Sequence, residues 1–338
     1  MRSNVCGSRL VVGSLWLTAA CLPPRPASEG ESDASSGDAS AESNASESGG
    51  ESSAAESSSS DTPETETETE TDTGDTSSSE ETGSTCDKRI VVTGYWPPTN
   101  EMLRPFSQNP DQNPEGWQGE DWMGLGYDIY AFFPEFPPDG DPTNDDIGEP
   151  GSVGEGDLMV DYQDTSADFW SFMDELQPQL LVTTSRGGQL GWELEAVEGG
   201  HGGPMRASNP AFDWASDQFG DDTRPQMGTV DPRSWEGIST YRDGSTLDSQ
   251  LPLEAIEAAT DALGLVSVDI DYGTSGNYLS GFMGLHGLLY YELAPHAAAA
   301  GHIHVGYAVS VGEARQLIDA TLLALIEAHP ARSVDCPE

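Results

Sequence analysis

The sequence predicts an α/β fold: one three-layer α/β/α domain with a mostly parallel sheet, preceded by a signal segment and a disordered linker. Three observations carry this. Short apolar runs such as Ile90-Val91-Val92 and Leu180–Thr184, and the apolar–polar alternation of Val266, Val268 and Ile270, are interleaved along the chain with segments of helical periodicity, the order that parallel strands covered by helices require. The stretch from 86 to 338 is the right length for one large α/β domain. Before residue 86 the composition changes to one that cannot fold.

Residues 1–21 read as a targeting segment. Arg2 and Arg9 precede an apolar run, Leu10 to Ala20, too short to span a bilayer. The run ends Leu17-Thr18-Ala19-Ala20-Cys21, which resembles a bacterial lipoprotein signal and implies cleavage before Cys21 with lipid on its sulfur; the alternative is an ordinary secretory signal cut nearby. Either way the chain is expected to be exported. Residues 22–85 are a linker. Between 28 and 85 there are 17 acidic residues and no Lys or Arg, in a background of Ser, Thr, Gly and Ala. Such a segment buries too little apolar surface to offset chain entropy, and like charges extend it. The expected role is a tether, so that the membrane is a partner only through the N-terminal lipid.

The formal net charge of −46 argues against nucleic acid as a partner. Of four cysteines, Cys6 and Cys21 fall in the signal segment, while Cys86 and Cys336 bracket the domain. In an exported protein that pair reads as a disulfide.

The domain opens with a short buried strand from Lys88 into a Gly/Pro turn, Thr93-Gly94-Tyr95-Trp96-Pro97-Pro98. Trp117, Trp122 and Tyr127 follow in a Gly-rich stretch and are expected to pack under a long loop, the alternative being that they line a cleft. Residues 139–157 cluster Asp139, Asp141, Asn144, Asp145 and Asp146, oxygen ligands without the spacing of an EF-hand; a solvated loop is expected rather than a calcium site. Leu158–Tyr162 reads as a strand, 169–176 as a short amphipathic helix and Leu180–Thr184 as a second apolar strand. Residues 198–240 read as an insertion, in which His201 has either a ligand role or none. A helix opens at Leu251-Pro252-Leu253 and ends at Gly264, and Ser310 with Glu313 forms a capping box for a final helix.

The stretch 267–305 carries the chemistry. A strand is followed by a turn at Gly273 and Gly276, a helix from about Tyr278 to His296, and a strand from Ile303. Ser280 falls in the first turn of that helix, where unpaired N–H groups favour a developing anion. His304 lies 24 positions on, on the strand after the helix. A hydroxyl nucleophile and a base reunited by one helix is a catalytic arrangement.

Gly273-Thr-Ser-Gly-Asn-Tyr-Leu-Ser-Gly281 and Ala300-Gly-His-Ile-His-Val305 resemble the nucleophile and histidine segments of the pyroglutamyl peptidase I (pyrrolidone-carboxylate peptidase) family, cysteine peptidases that remove an N-terminal pyroglutamate. The position of the family's cysteine is Ser280. The Leu194-Glu195-Ala196-Val197 frame resembles the segment that delivers the family's glutamate, which implies Glu195 as the partner of His304. Tyr95, Trp96 and Tyr278 are the implied substrate contacts. The turn departs from the family at Pro98, and either Asn109-Pro110 or Asn113-Pro114 stands for its Asn-Pro. The resemblance implies a pyroglutamyl-peptidase-like domain that hydrolyses an N-terminal pyroglutamyl or related amide with Ser280, His304 and Glu195. The alternative is an inactive member that binds peptides or ligands outside the membrane. No cofactor is expected. A metal site is not expected either: His302 and His304 share a strand face but have no third ligand at convincing spacing.

Overall fold

The computed structural model describes residues 86–136, 153–189, 191–200, 209–216, 224–241 and 245–337. The signal segment with Cys21, the linker, the acidic cluster at 139–146 and His201 lie outside the described residues.

Within these residues a six-stranded sheet runs in the order β2-β1-β3-β8-β4-β7. Its strands are β1 (Arg89–Thr93), β2 (Asp128–Phe132), β3 (Leu180–Gly187), β4 (Trp192–Glu195), β7 (Val268–Asp271) and β8 (Ala299–Gly306). β2, β1, β3 and β8 are parallel; β4 pairs antiparallel to β8 and parallel to β7. A short antiparallel ribbon of β5 (Val197–Gly199) and β6 (Thr246–Asp248) lies beside it in sequence. The expected mostly parallel sheet is present, with its last two strands reversed.

Helices cover both faces. α1 (Thr99–Leu103), α4 (Leu253–Asp261) and α6 (Val311–Ala328) pack on one side with Ile90, Val92, Leu180, Val182, Ile303 and Val305. α2 (Tyr162–Leu176), α3 (Pro232–Tyr241) and α5 (Leu279–Leu293) pack on the other with Val91, Leu181 and Ala300. Alternate residues of each central strand therefore enter opposite cores, which is why these strands read as continuous apolar runs. α6 starts at the Ser310–Glu313 capping box.

Several elements differ from the sequence reading, among them α3, a helix at the end of the 198–240 stretch that reads as an insertion. Residues 158–161 are not a strand: Leu158 adopts φ 53°, and the Asp161 side chain accepts the N–H groups of Gln163 and Asp164, so the chain enters a helix there. α2 then runs from Tyr162 rather than 169. Its buried stripe contains Thr165 and Ser166, whose hydroxyls bond Tyr95 and Ser234; polar residues on the inner face hid the period. β2 was not foreseen. Its burial alternates, with Ile129 and Ala131 inward, but the intervening Tyr130 and Phe132 are aromatic, so the sequence shows no apolar–polar alternation there. Trp122 and Tyr127 do pack as expected. Of the two Asn-Pro pairs, Asn113 is buried, and its amide donates to the carbonyls of Pro105, Ser107 and Gly116, which folds the loop before β2.

Candidate active site

On the face covered by α5, the strands turn from apolar to polar as they run toward their carboxyl ends. β3 presents Leu181, then Thr183 and Ser185; β8 presents Ala300, then His302 and His304. β4 adds Glu193, opposite His304, and Glu195, opposite His302; β7 adds Asp269 and Asp271. The period of two gathers eight polar side chains from four strands on one face.

His304 Nδ1 donates to Glu195 Oε1 at 2.8 Å. The histidine side chain keeps 12% exposure and Glu195 only 1%. Among the described residues Nε2 of His304 has no hydrogen-bond partner, so one ring nitrogen is fixed and the other is available. Burial pushes the Glu195 carboxyl upward from its ordinary range, and the hydrogen bond and charge interaction with His304 draw it part of the way back. Gly187 makes room for the pair: a Cβ there would sit 2.8 Å from His304 Cβ.

His302 is committed elsewhere. Thr183 Oγ1 donates to the Gly301 carbonyl at 3.2 Å, so it accepts from His302 Nδ1 at 2.8 Å. His302 Nε2 then accepts from Ser185 Oγ at 2.9 Å. Fully buried, the ring is held well below the ordinary imidazole range by desolvation and by His304. It stays neutral and packs edge-on against His304, with centroids 5.0 Å apart. In this arrangement both ring nitrogens of His302 are engaged by β3 hydroxyls. The third member of the group around His304 and Glu195 is Glu193: ligand atoms of the three lie within 4.8 Å of one another, a juxtaposition the sequence did not reveal.

Ser280 is the second residue of α5. Among the described residues no side chain caps this helix: its N-cap, Tyr278, makes no capping hydrogen bond to the first-turn N–H groups. Ser280 Oγ donates to the Ser275 carbonyl at 3.3 Å and makes no hydrogen bond to His304. Gly276, at φ 84°, shapes the turn. Gly281 lets it close on the helix, because a Cβ at 281 would collide with the Gly276 carbonyl oxygen.

That turn is anchored from below by a residue the sequence reading passed over. Glu198 of β5 is 1% exposed, and its carboxyl accepts from the Ser275 hydroxyl and from the Ser275 N–H at 3.3 Å. Gly284 of α5 admits it: a Cβ there would lie 2.5 Å from Glu198 Oε1. Desolvation drives this carboxyl well above its ordinary range, with repulsion from Glu195 adding and the Ser275 bonds opposing. A carboxyl raised on folding contributes stability that is present below the ordinary carboxylate range and is lost as pH rises through its folded value. Glu198→Gln removes that titration. Relative to the variant, the wild type is expected to lose up to about 1.4 kcal/mol per pH unit above the ordinary range. Urea unfolding at a series of pH values checks this; parallel curves for the two proteins would refute it.

The implied substrate contacts divide. Tyr95 is 1% exposed, with its hydroxyl on Thr165, so it presents nothing to solvent and serves the core. Trp96 is half-buried beside Phe136, and Tyr278 is 53% exposed at the start of α5. Cys86 and Cys336 form a disulfide with a Cα–Cα distance of 5.8 Å. A cleft of about 680 Å³ lined by Trp170, Arg233, Tyr290 and His296 lies at the other end of α5, away from this cluster.

No family model matches the chain, and no curated protein matches it. Among solved structures, the pyrrolidone carboxyl peptidase from Thermococcus litoralis aligns at 12% identity and TM-score 0.46, covering 74% of this chain and 100% of that one. The enzyme of that name from Pyrococcus furiosus aligns at 12% identity and TM-score 0.45, covering 71% and 99%. Alignments this distant say nothing of chemistry.

Proposed function

We propose that the chain is a hydrolase of N-terminal pyroglutamyl or related amides, with Ser280 as nucleophile, His304 as general base and Glu195 as the group that orients His304. The observation that carries this reading is the His304 Nδ1–Glu195 hydrogen bond, which leaves Nε2 available beside a polar strand-end cluster. Ser280 Oγ leaves the Ser275 carbonyl, turns to His304 Nε2 and attacks the substrate carbonyl as its proton passes to the imidazole. The first-turn N–H groups of α5 bind the oxyanion. The C–N bond breaks, and the proton on His304 goes to the leaving amine. Water, deprotonated by the same ring, then hydrolyses the acyl-serine ester and returns the hydroxyl to Ser280.

A specific observation favours a second reading. The Ser280 hydroxyl points to a backbone carbonyl and not to His304. A protein that keeps this arrangement with ligand bound is an inactive relative that binds peptides. In either case the signal segment and acidic linker support export and attachment through lipid on Cys21.

The test is incubation of purified protein with a fluorogenic pyroglutamyl amide, with rapid acid quench and mass spectrometry of the peptide that contains residue 280. Product release with a pyroglutamyl adduct on Ser280, both lost in Ser280→Ala, is the expected result. Absence of turnover and adduct over a range of pH would overturn the hydrolase reading in favour of the binding one.

A further inference from the structure

Arg186 is a half-buried arginine without an acid. The chain carries 59 Asp and Glu against 13 Lys and Arg, so acidic partners are abundant. Arg89, Arg104 and Arg233 each hold at least one: Asp87, Glu101 with Glu135, and Asp174 with Asp231. Among the described residues the Arg186 side chain makes no hydrogen bond and no ion pair. Its guanidinium carbon lies instead 5.3 Å from the ring centroid of Trp96 and 5.7 Å from that of Tyr307.

Trp96 follows β1, Arg186 is the last residue but one of β3, and Tyr307 follows β8. Three adjacent strands thus bring these groups to their carboxyl ends, where open α/β sheets bind ligands. Ser185, the neighbour of Arg186, pairs across the ladder with His304; Arg186 itself leaves β3 on the opposite face, and its guanidinium comes to the shared strand end through Trp96, which packs with the core on the α5 face. Contact with aromatic faces engages the guanidinium plane and leaves its in-plane N–H donors unused. Partial burial lowers its basicity without removing its charge. A fixed, partly dehydrated fork of donors matches the two oxygens of a carboxylate. A dianion is disfavoured, since Glu193 and Glu195 stand at the same sheet end.

We propose that Arg186, held against Trp96 and Tyr307, is a carboxylate-recognition residue of the candidate active site, and that the ligands of this site are peptides or amides carrying a free carboxylate. This names the substrate class and rests on the hydrolase reading only in taking the strand-end cluster as the substrate site; binding of the carboxylate does not need Ser280 to be a nucleophile.

The experiment uses the full chain carrying Ser280→Ala, so that binding is read without turnover. Calorimetric titration compares pyroglutamyl-alanine, with its free carboxylate, and pyroglutamyl-alanine amide, without one. The acid is expected to bind roughly 10- to 100-fold more tightly. Adding Arg186→Gln should bring the acid to the level of the amide and leave the amide little changed, while Arg186→Lys should restore part of the preference. Equal affinities, a preference that survives Arg186→Gln, or binding of neither peptide would overturn the proposal. Should Arg186→Gln fail to fold, as judged by circular dichroism, the acid–amide comparison and Arg186→Lys decide it. Acid-selective binding by a wild-type protein that hydrolyses nothing would sink the hydrolase reading and leave this one standing.

Discussion

Replacing Glu195 by glutamine is expected to reduce kcat/KM for a pyroglutamyl amide by about 10³-fold while leaving the fold intact. The carboxylate accepts from His304 Nδ1 at 2.8 Å, which fixes the tautomer with Nε2 as proton acceptor. On the proposed mechanism it would also stabilise the imidazolium formed when Ser280 gives up its proton. A glutamine amide can turn its NH₂ toward Nδ1, which puts the proton on Nε2 and removes the base. Loss of a positioned base costs typically 10²–10⁴-fold. Stability should respond otherwise. Glu195 is buried with Oε2 unpartnered, and burial raises its carboxyl from the ordinary range. A neutral isostere sheds that desolvation cost, so the unfolding midpoint should hold or rise. His304→Ala should cost about as much activity, and the double variant little more, because the two act as one unit. A Glu195→Gln enzyme within fivefold of wild type would remove Glu195 from the mechanism.

Much of this site could be read from the chain because its parts are local. Gly273 and Gly276 mark the turn, the helical spacing after Tyr278 marks α5, and the alternation around Ile303 marks β8. The Glu195–His304 bond follows from pairing β4 beside β8, and the sequence supplied that pairing only through the likeness of the Leu194-Glu195-Ala196-Val197 frame to a known family. What could not be read is tertiary. Glu198 looks like one more surface acid in a chain full of them; its burial depends on β5 passing under Gly284 of α5. The commitment of His302 depends on Thr183 and Ser185 arriving from β3, more than 110 residues away. Arg186 stands out only once its neighbours are known to be rings rather than carboxylates. Tyr95 shows the converse, since its place in a motif suggested substrate contact and its fold neighbours made it core. The first two turns of α2 are hidden in the sequence by the same cause: buried Thr165 and Ser166 are apolar in effect once paired.

Removing the Cys86–Cys336 disulfide is expected to lower stability by about 3–5 kcal/mol and to leave the site's chemistry unchanged. The bond joins positions 250 residues apart, so it encloses the whole domain and restricts the unfolded chain more than a local link would. It also ties the C-terminal segment to β1, which begins three residues after Cys86 and is hydrogen-bonded on both edges, to β2 and β3. Lys88 reinforces the junction by donating to the Val334 carbonyl at 2.8 Å. Against a total stability of roughly 5–15 kcal/mol, a loss of this size matters. Two readouts separate the mechanism from simple loss of packing. In urea unfolding the Cys86→Ser/Cys336→Ser variant should show a steeper denaturant slope, because its unfolded state is no longer tethered and exposes more surface. Its activity at 25 °C should match wild type, since Ser280, His304 and Glu195 are held by β4, β8 and α5 rather than by the termini. A midpoint shift worth less than about 1 kcal/mol would mean that Lys88 and the packing of β1 hold the chain ends by themselves. The disulfide would then be a mark of an oxidising compartment rather than a source of stability.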